Sequence, residues 1–85
     1  MERQRFQQLL ALAKRHLAEA RHVIRQQEEL IRAMLDKGAD TSEAQALLEK
    51  LRTSADAMAE HERSIEQQIR EFEQDDNRHR KNRLP

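Results

Sequence analysis

Cysteine, tryptophan and tyrosine are absent from this 85-residue chain, and glycine and proline each occur once. Without cysteine, disulfides, thiol nucleophiles and zinc sites built on thiolates are excluded. No apolar run approaches the length needed to span a bilayer, and the N-terminal segment lacks the continuous apolar stretch of a signal peptide. We therefore expect a single domain located in the cytoplasm.

The composition favours helices. Charged residues make up 38% of the chain and hydrophobic residues 36%, and the only aromatic residues are Phe6 and Phe72. Alanine, leucine, glutamate, glutamine and arginine, which are good helix formers, are abundant. A chain this polar is also compatible with disorder. The spacing of its apolar residues distinguishes a helical fold from a disordered chain.

That spacing is a heptad repeat in two stretches, residues 6–34 and 44–72, and it argues against disorder. Each stretch has one polar residue in its a and d rows, Gln27 in the first and Glu62 in the second. A further row at g flanks the core and contains Leu9, His16, Val23, Leu30, Leu47, Ser54, His61 and Gln68. The predicted core and interface residues are Phe6, Leu10, Leu17, Ile24, Ile31, Leu48, Leu51, Met58, Ile65, Ile69 and Phe72.

The two stretches are separated by a turn sequence. Gly38 can adopt positive φ just past a helix end, and Asp40 or Thr41 can cap the helix that follows. Glu43 lies three residues after Asp40, which is the spacing of a capping box. A helix stop followed within a few residues by a helix start makes the two helices antiparallel neighbours.

We therefore predict an all-α fold, an antiparallel two-helix hairpin over residues 1–77. Helix 1 should cover about residues 2–37, the turn 38–40 and helix 2 about 41–74, followed by a basic, mobile tail at 78–85. A lone hairpin buries little apolar area, so burial offsets little of the conformational entropy that the chain loses on folding. The apolar stripe also includes the g row, which makes it wider than the contact between two helices requires. We expect two hairpins to pair as a homodimeric four-helix bundle, or the hairpin to pair with another helical protein.

The charge is distributed unevenly. Residues 1–37 carry eight basic and five acidic side chains, residues 38–77 carry four and eleven, and residues 78–85 carry four basic ones. Pairing of the basic helix with the acidic one is favoured over pairing of two helices that carry the same sign of charge. The tail has few charges and no interleaved aromatic residue for stacking on bases, so we do not expect nucleic-acid binding.

His16, His61 and Glu62 are the candidate metal ligands, since the hairpin places them near one level. Two imidazoles and a carboxylate can hold a divalent metal or form a pH-sensitive contact. The alternative is that each histidine covers the edge of the core and bonds a neighbouring acid, while Glu62 reaches Arg15, Arg21 or His16. Metal sites in bundles use several inward carboxylates with Glu-x-x-His pairs, so we predict no metal or other cofactor.

Three functions remain compatible with the sequence. It has no phosphate-binding loop and no nucleophile motif, so we expect neither an enzyme nor a small-molecule substrate. The main hypothesis is a structural or protein–protein interaction module that self-associates through its a/d/g side chains. The alternatives are a regulatory hairpin that binds a different signalling protein, and a metal- or pH-responsive bundle.

The stretch Gly38-x-Asp40-Thr41-x-x-Ala44-x-x-Leu47-Leu48, together with the segment from His16 to Ala20, resembles short uncharacterised helical-hairpin proteins of proteobacteria. The resemblance covers roughly residues 9–70 and does not include the basic tail. It implies a bacterial source and a hairpin fold. It implies no activity, and it assigns no catalytic or binding residue.

Overall fold

The protein is a hairpin of two long helices. The computed structural model describes residues 2–83, and the side chains of residues 3–75. Helix α1 covers Glu2–Asp36 and helix α2 covers Ser42–Arg83. The helices pack against each other along a rod that measures 75 × 15 × 15 Å. The predicted all-α hairpin is confirmed.

Helix α1 ends in a Schellman motif. The N–H of Ala39 donates to the carbonyl of Met34 at 2.9 Å, and the N–H of Gly38 donates to the carbonyl of Leu35 at 3.0 Å. This pair of bonds requires a left-handed residue after the helix, and Gly38 has φ +71°. The last helical residue is Asp36, so Lys37 follows the helix and is not part of its final turn.

Helix α2 is capped by Thr41, one of the two residues that the sequence predicted, but the capping box between Asp40 and Glu43 does not form. Asp40 Oδ1 accepts hydrogen bonds from the hydroxyl of Ser42 at 2.7 Å and from its backbone N–H at 3.0 Å. These two bonds lower the pKa of Asp40 below its usual value. They form an Asx turn with Ser42 in place of the capping box with Glu43. Thr41 is the N-cap residue, because its carbonyl accepts the N–H of Gln45 at 2.8 Å.

The core is a single seam between the helices. Its best-buried members, Leu17 and Ile65, keep 5% and 4% of their surface exposed. Phe72 is 38% exposed, yet its ring packs on Phe6 with centroids 6.5 Å apart and holds the open end together. The other predicted core residues are buried or half-buried, and the buried hydrophobic residues are Ala13, Leu17, Ile31, Leu48, Ala55 and Ile65. The alanines in this set let the helices approach closely.

Helix α2 is longer than the sequence predicted, since it continues to Arg83 and does not end at about residue 74. The apolar pattern stops after Phe72, but six of the eleven residues at 73–83 are good helix formers and none of the eleven is glycine or proline. The predicted tail at 78–85 therefore overlaps the helix. Its side chains, and residues 84–85, lie outside the described part, so its mobility stays a prediction.

Candidate functional site

The hairpin is a two-helix ribbon with two broad faces, one on each side of the seam. We call the side formed by the e positions the polar face and the side formed by the g positions the apolar face. In an antiparallel pair, e faces e and g faces g across the seam, so each row of one helix meets the same row of the other. The two faces differ sharply in chemistry.

The polar face is crossed by ion pairs between the helices. Arg52 Nη2 lies 3.2 Å from Glu28 Oε2, and Arg3 Nη2 lies 3.0 Å from Glu73 Oε1. All four side chains are partly exposed to water, so each pair contributes little to stability. A groove on this side is lined mainly by charged groups, those of Arg21, Asp56, Glu60 and Arg63. Charged side chains therefore line this face and bridge the two helices across it.

The apolar face leaves large hydrophobic side chains in water. Leu9, Val23, Leu30 and Leu47, all at g, keep 43–50% of their surface exposed. Leu12, three residues after Leu9, is exposed to the same degree and extends this face. Leu12 occupies a c position, so the heptad assignment left it out, although its spacing from Leu9 was a readable signal.

A line of shallow grooves runs along the apolar face. Near the turn, a groove lies between Leu30 and Met34 of α1 and Ala44 and Leu47 of α2. Two further grooves share His16, Ser54 and Met58, and the one that also includes His61 has a volume of about 300 Å³. The grooves follow the seam between the two helices. Such a surface can accept the ridge of another helix.

The three candidate metal ligands are only partly brought together. His16 and His61 line the same groove, together with Ser54 and Met58, and both are exposed. Glu62 is half-buried and is not among the residues that line this groove. The reason is local, since adjacent residues of a helix do not face the same way. Over the side chains described, no group of three or more histidine, cysteine, aspartate or glutamate residues could hold a metal ion.

Glu62 also does not make the ion pair that we predicted. The ion pairs in the described part of the chain are Arg3–Glu73, Glu28–Arg52 and Glu60–Arg63. Glu62 is half-buried at its a position, and no buried side-chain nitrogen or oxygen among the described residues lacks a partner. Its carboxylate is therefore not a charge buried without compensation, and it needs no ion-pair partner from α1 to be tolerated at this position.

Comparisons with protein-family models, with curated proteins and with solved structures found no match. The resemblance to proteobacterial helical-hairpin proteins therefore stays a prediction. In the described residues, neither helix is long and apolar enough to cross a membrane.

Proposed function

We propose that the protein is a non-enzymatic assembly module, two copies of which pair through their apolar faces to form a four-helix bundle. The observation that carries this proposal is the difference between the faces. Leucine and valine side chains at g remain about half exposed on one side, whereas ion pairs bridge the helices on the other. An exposed apolar strip of this kind marks an interaction surface.

The size of the face supports a stable contact. The long side of the rod measures 75 by 15 Å, and a specific protein–protein interface buries roughly 800 Å² on each partner. Covering this face would remove Leu9, Val23 and Leu30 from water, in addition to the narrow seam of the hairpin. Full burial of an exposed large side chain contributes about 1.5–3 kcal/mol, and roughly half of that applies here because these side chains are about half exposed in the hairpin. A second layer of helices therefore supplies stability that a lone hairpin lacks.

A second copy is a suitable occupant because it presents the same apolar strip together with both a basic and an acidic helix. A closed two-fold pairing uses one surface twice, so no other exposed apolar face is created. The alternative, a regulatory hairpin that binds a different signalling protein, uses the same face. The mass of the free protein separates the two.

The test is sedimentation equilibrium over a concentration series. We expect the wild-type protein to have the mass of two chains. The double variant Val23→Glu/Leu30→Glu should have the mass of one chain, because both side chains are exposed in the hairpin and would become buried charges in the dimer. The matched control is Leu35→Glu, since Leu35 is 57% exposed at an e position on the polar face.

The control should remain a dimer. A wild-type protein that sediments as one chain at every concentration would rule out self-association and favour a different partner protein. Equal dissociation by the control and by the double variant would show that the apolar face is not the contact. Circular dichroism on each variant checks that the helices are retained.

A further inference from the structure

Two hairpins that stack apolar face to apolar face can be related by a two-fold axis in two ways. An axis parallel to the helices places both turns at the same end, and α1 of each copy then packs on the partner's α2. An axis across the helices, within the plane of contact, places the turns at opposite ends. In that case α1 packs on the partner's α1, and α2 packs on the partner's α2.

The charges favour the first arrangement. Helix α1, Glu2–Asp36, has a net charge of +2, from seven basic and five acidic side chains. Residues 42–77 of α2 have a net charge of −6, from four basic and ten acidic side chains, and the four basic residues at 78–83 bring the whole of α2 to −2. With the turns together, each basic α1 lies on an acidic α2. With the turns apart, the two acidic helices lie on each other, and so do the two basic ones. Juxtaposed like charges disfavour an interface even where single pairs contribute little.

The side chains at the middle of the apolar face fit the same arrangement. There α1 presents Val23, and α2 presents Ser54 and Ala57 near the level that the antiparallel order sets opposite it. A bulky side chain packed against small ones can interdigitate at native density.

We propose that the two copies associate with their turns at the same end of the bundle, so that α1 of each copy packs against α2 of the other. This inference rests on the proposed self-association and adds its orientation. The antiparallel order of the helices then sets the levels. Val23 lies opposite the partner's Ser54, and His16 lies opposite the partner's His61. On the apolar face of each copy, α1 is therefore covered by the partner's α2, and α2 is covered by the partner's α1.

The absence of cysteine allows a direct distance measurement. A single spin label on the variant Ala39→Cys marks the exposed turn. A label on the control variant His22→Cys marks an exposed outward position near the middle of the rod. Pulsed dipolar spectroscopy on each labelled dimer gives the distance between the two equivalent sites. Because α1 has 35 residues at a rise of about 1.5 Å each, the two possible turn-to-turn distances differ greatly.

We expect a turn-to-turn distance below about 35 Å, which is the width of two helix layers plus the labels. A distance above about 50 Å at Ala39→Cys, with a short distance at His22→Cys, would overturn the orientation and leave self-association intact. The middle site is close to its equivalent in both arrangements, so it reports pairing alone. No dipolar signal at either site, with the mass of one chain, would reject the orientation and the proposed function together.

Discussion

Gln27 of α1 donates a hydrogen bond from its side-chain Nε2 to the backbone carbonyl of Ala44, in the first turn of α2, at 2.9 Å. Gln27 is the polar residue that interrupts the apolar d row of α1. Its amide is partly buried, and this bond links the first turn of α2 to a residue nine positions before the end of α1. A polar group at a heptad core position can fix the alignment of helices in this way.

The first prediction concerns this bond. Gln27→Ala should lower the free energy of unfolding by about 1 kcal/mol, the usual net value of a hydrogen bond in a protein. The measurement is urea denaturation followed by circular dichroism. The control is Gln27→Leu, which also removes the bond but places an apolar group at d and should lose less. Equal stability of Gln27→Ala and the wild type would show that the bond does not stabilise the hairpin.

The second prediction concerns the seam. Leu17→Ala should destabilise the protein by about 2–5 kcal/mol, because it removes buried methyl groups and leaves a cavity. Leu17 is among the best-buried side chains of the chain. Leu35→Ala makes the same chemical change at an exposed position and should cost far less. Thermal melts of both variants measure the difference, and similar melting temperatures would contradict the position of the core.

The third prediction tests the turn. Gly38→Ala should destabilise the protein by roughly 1–2 kcal/mol, because φ +71° is unfavourable for a residue with a Cβ atom. An added Cβ would meet no atom within 4 Å, so the cost comes from the backbone alone. Gly38→Asn should cost less, since asparagine tolerates this conformation. If Gly38→Ala and Gly38→Asn have the same melting temperature, well below that of the wild type, the explanation by backbone strain is wrong.

The fourth prediction concerns pH. Hydrogen bonds from the hydroxyl and the N–H of Ser42 lower the pKa of Asp40 in the folded protein. The stability that Asp40 contributes is therefore fully present above the usual aspartate pKa of about 3.9, and it is lost as the pH falls through the lower folded value. Asp40→Ala should melt below the wild type at pH 7, with a difference that shrinks as the pH falls below about 4.

The control for this experiment is Ser42→Ala, which removes the hydroxyl donor and keeps the backbone one. It should show a smaller loss at pH 7 than Asp40→Ala. A difference between wild type and Asp40→Ala that stays constant from pH 7 to the acid range would contradict the role of the ionised carboxylate.

The sequence by itself determined the helices, the turn and the rows that meet in the seam. These are local or periodic properties: one glycine stands where a left-handed residue is needed, and the heptad spacing places Leu17 and Ile65 on the sides that meet. The groove shared by His16 and His61 also follows from equal distances to the turn. The end of α2 was missed because its final turns have no apolar pattern, and helix propensity alone extends it.

Only the tertiary structure decided which polar groups meet. The cross-helix pair of Glu28 and Arg52 and the bond from Gln27 to Ala44 depend on the axial alignment of two helices and on the rotamers of long side chains. Periodicity does not specify either of them. The same applies to Glu62, which is separated from His16 and His61 because a single step along a helix turns a side chain away. Helical periodicity determines which rows of residues face inward, whereas the packing of the two helices determines which individual atoms come into contact.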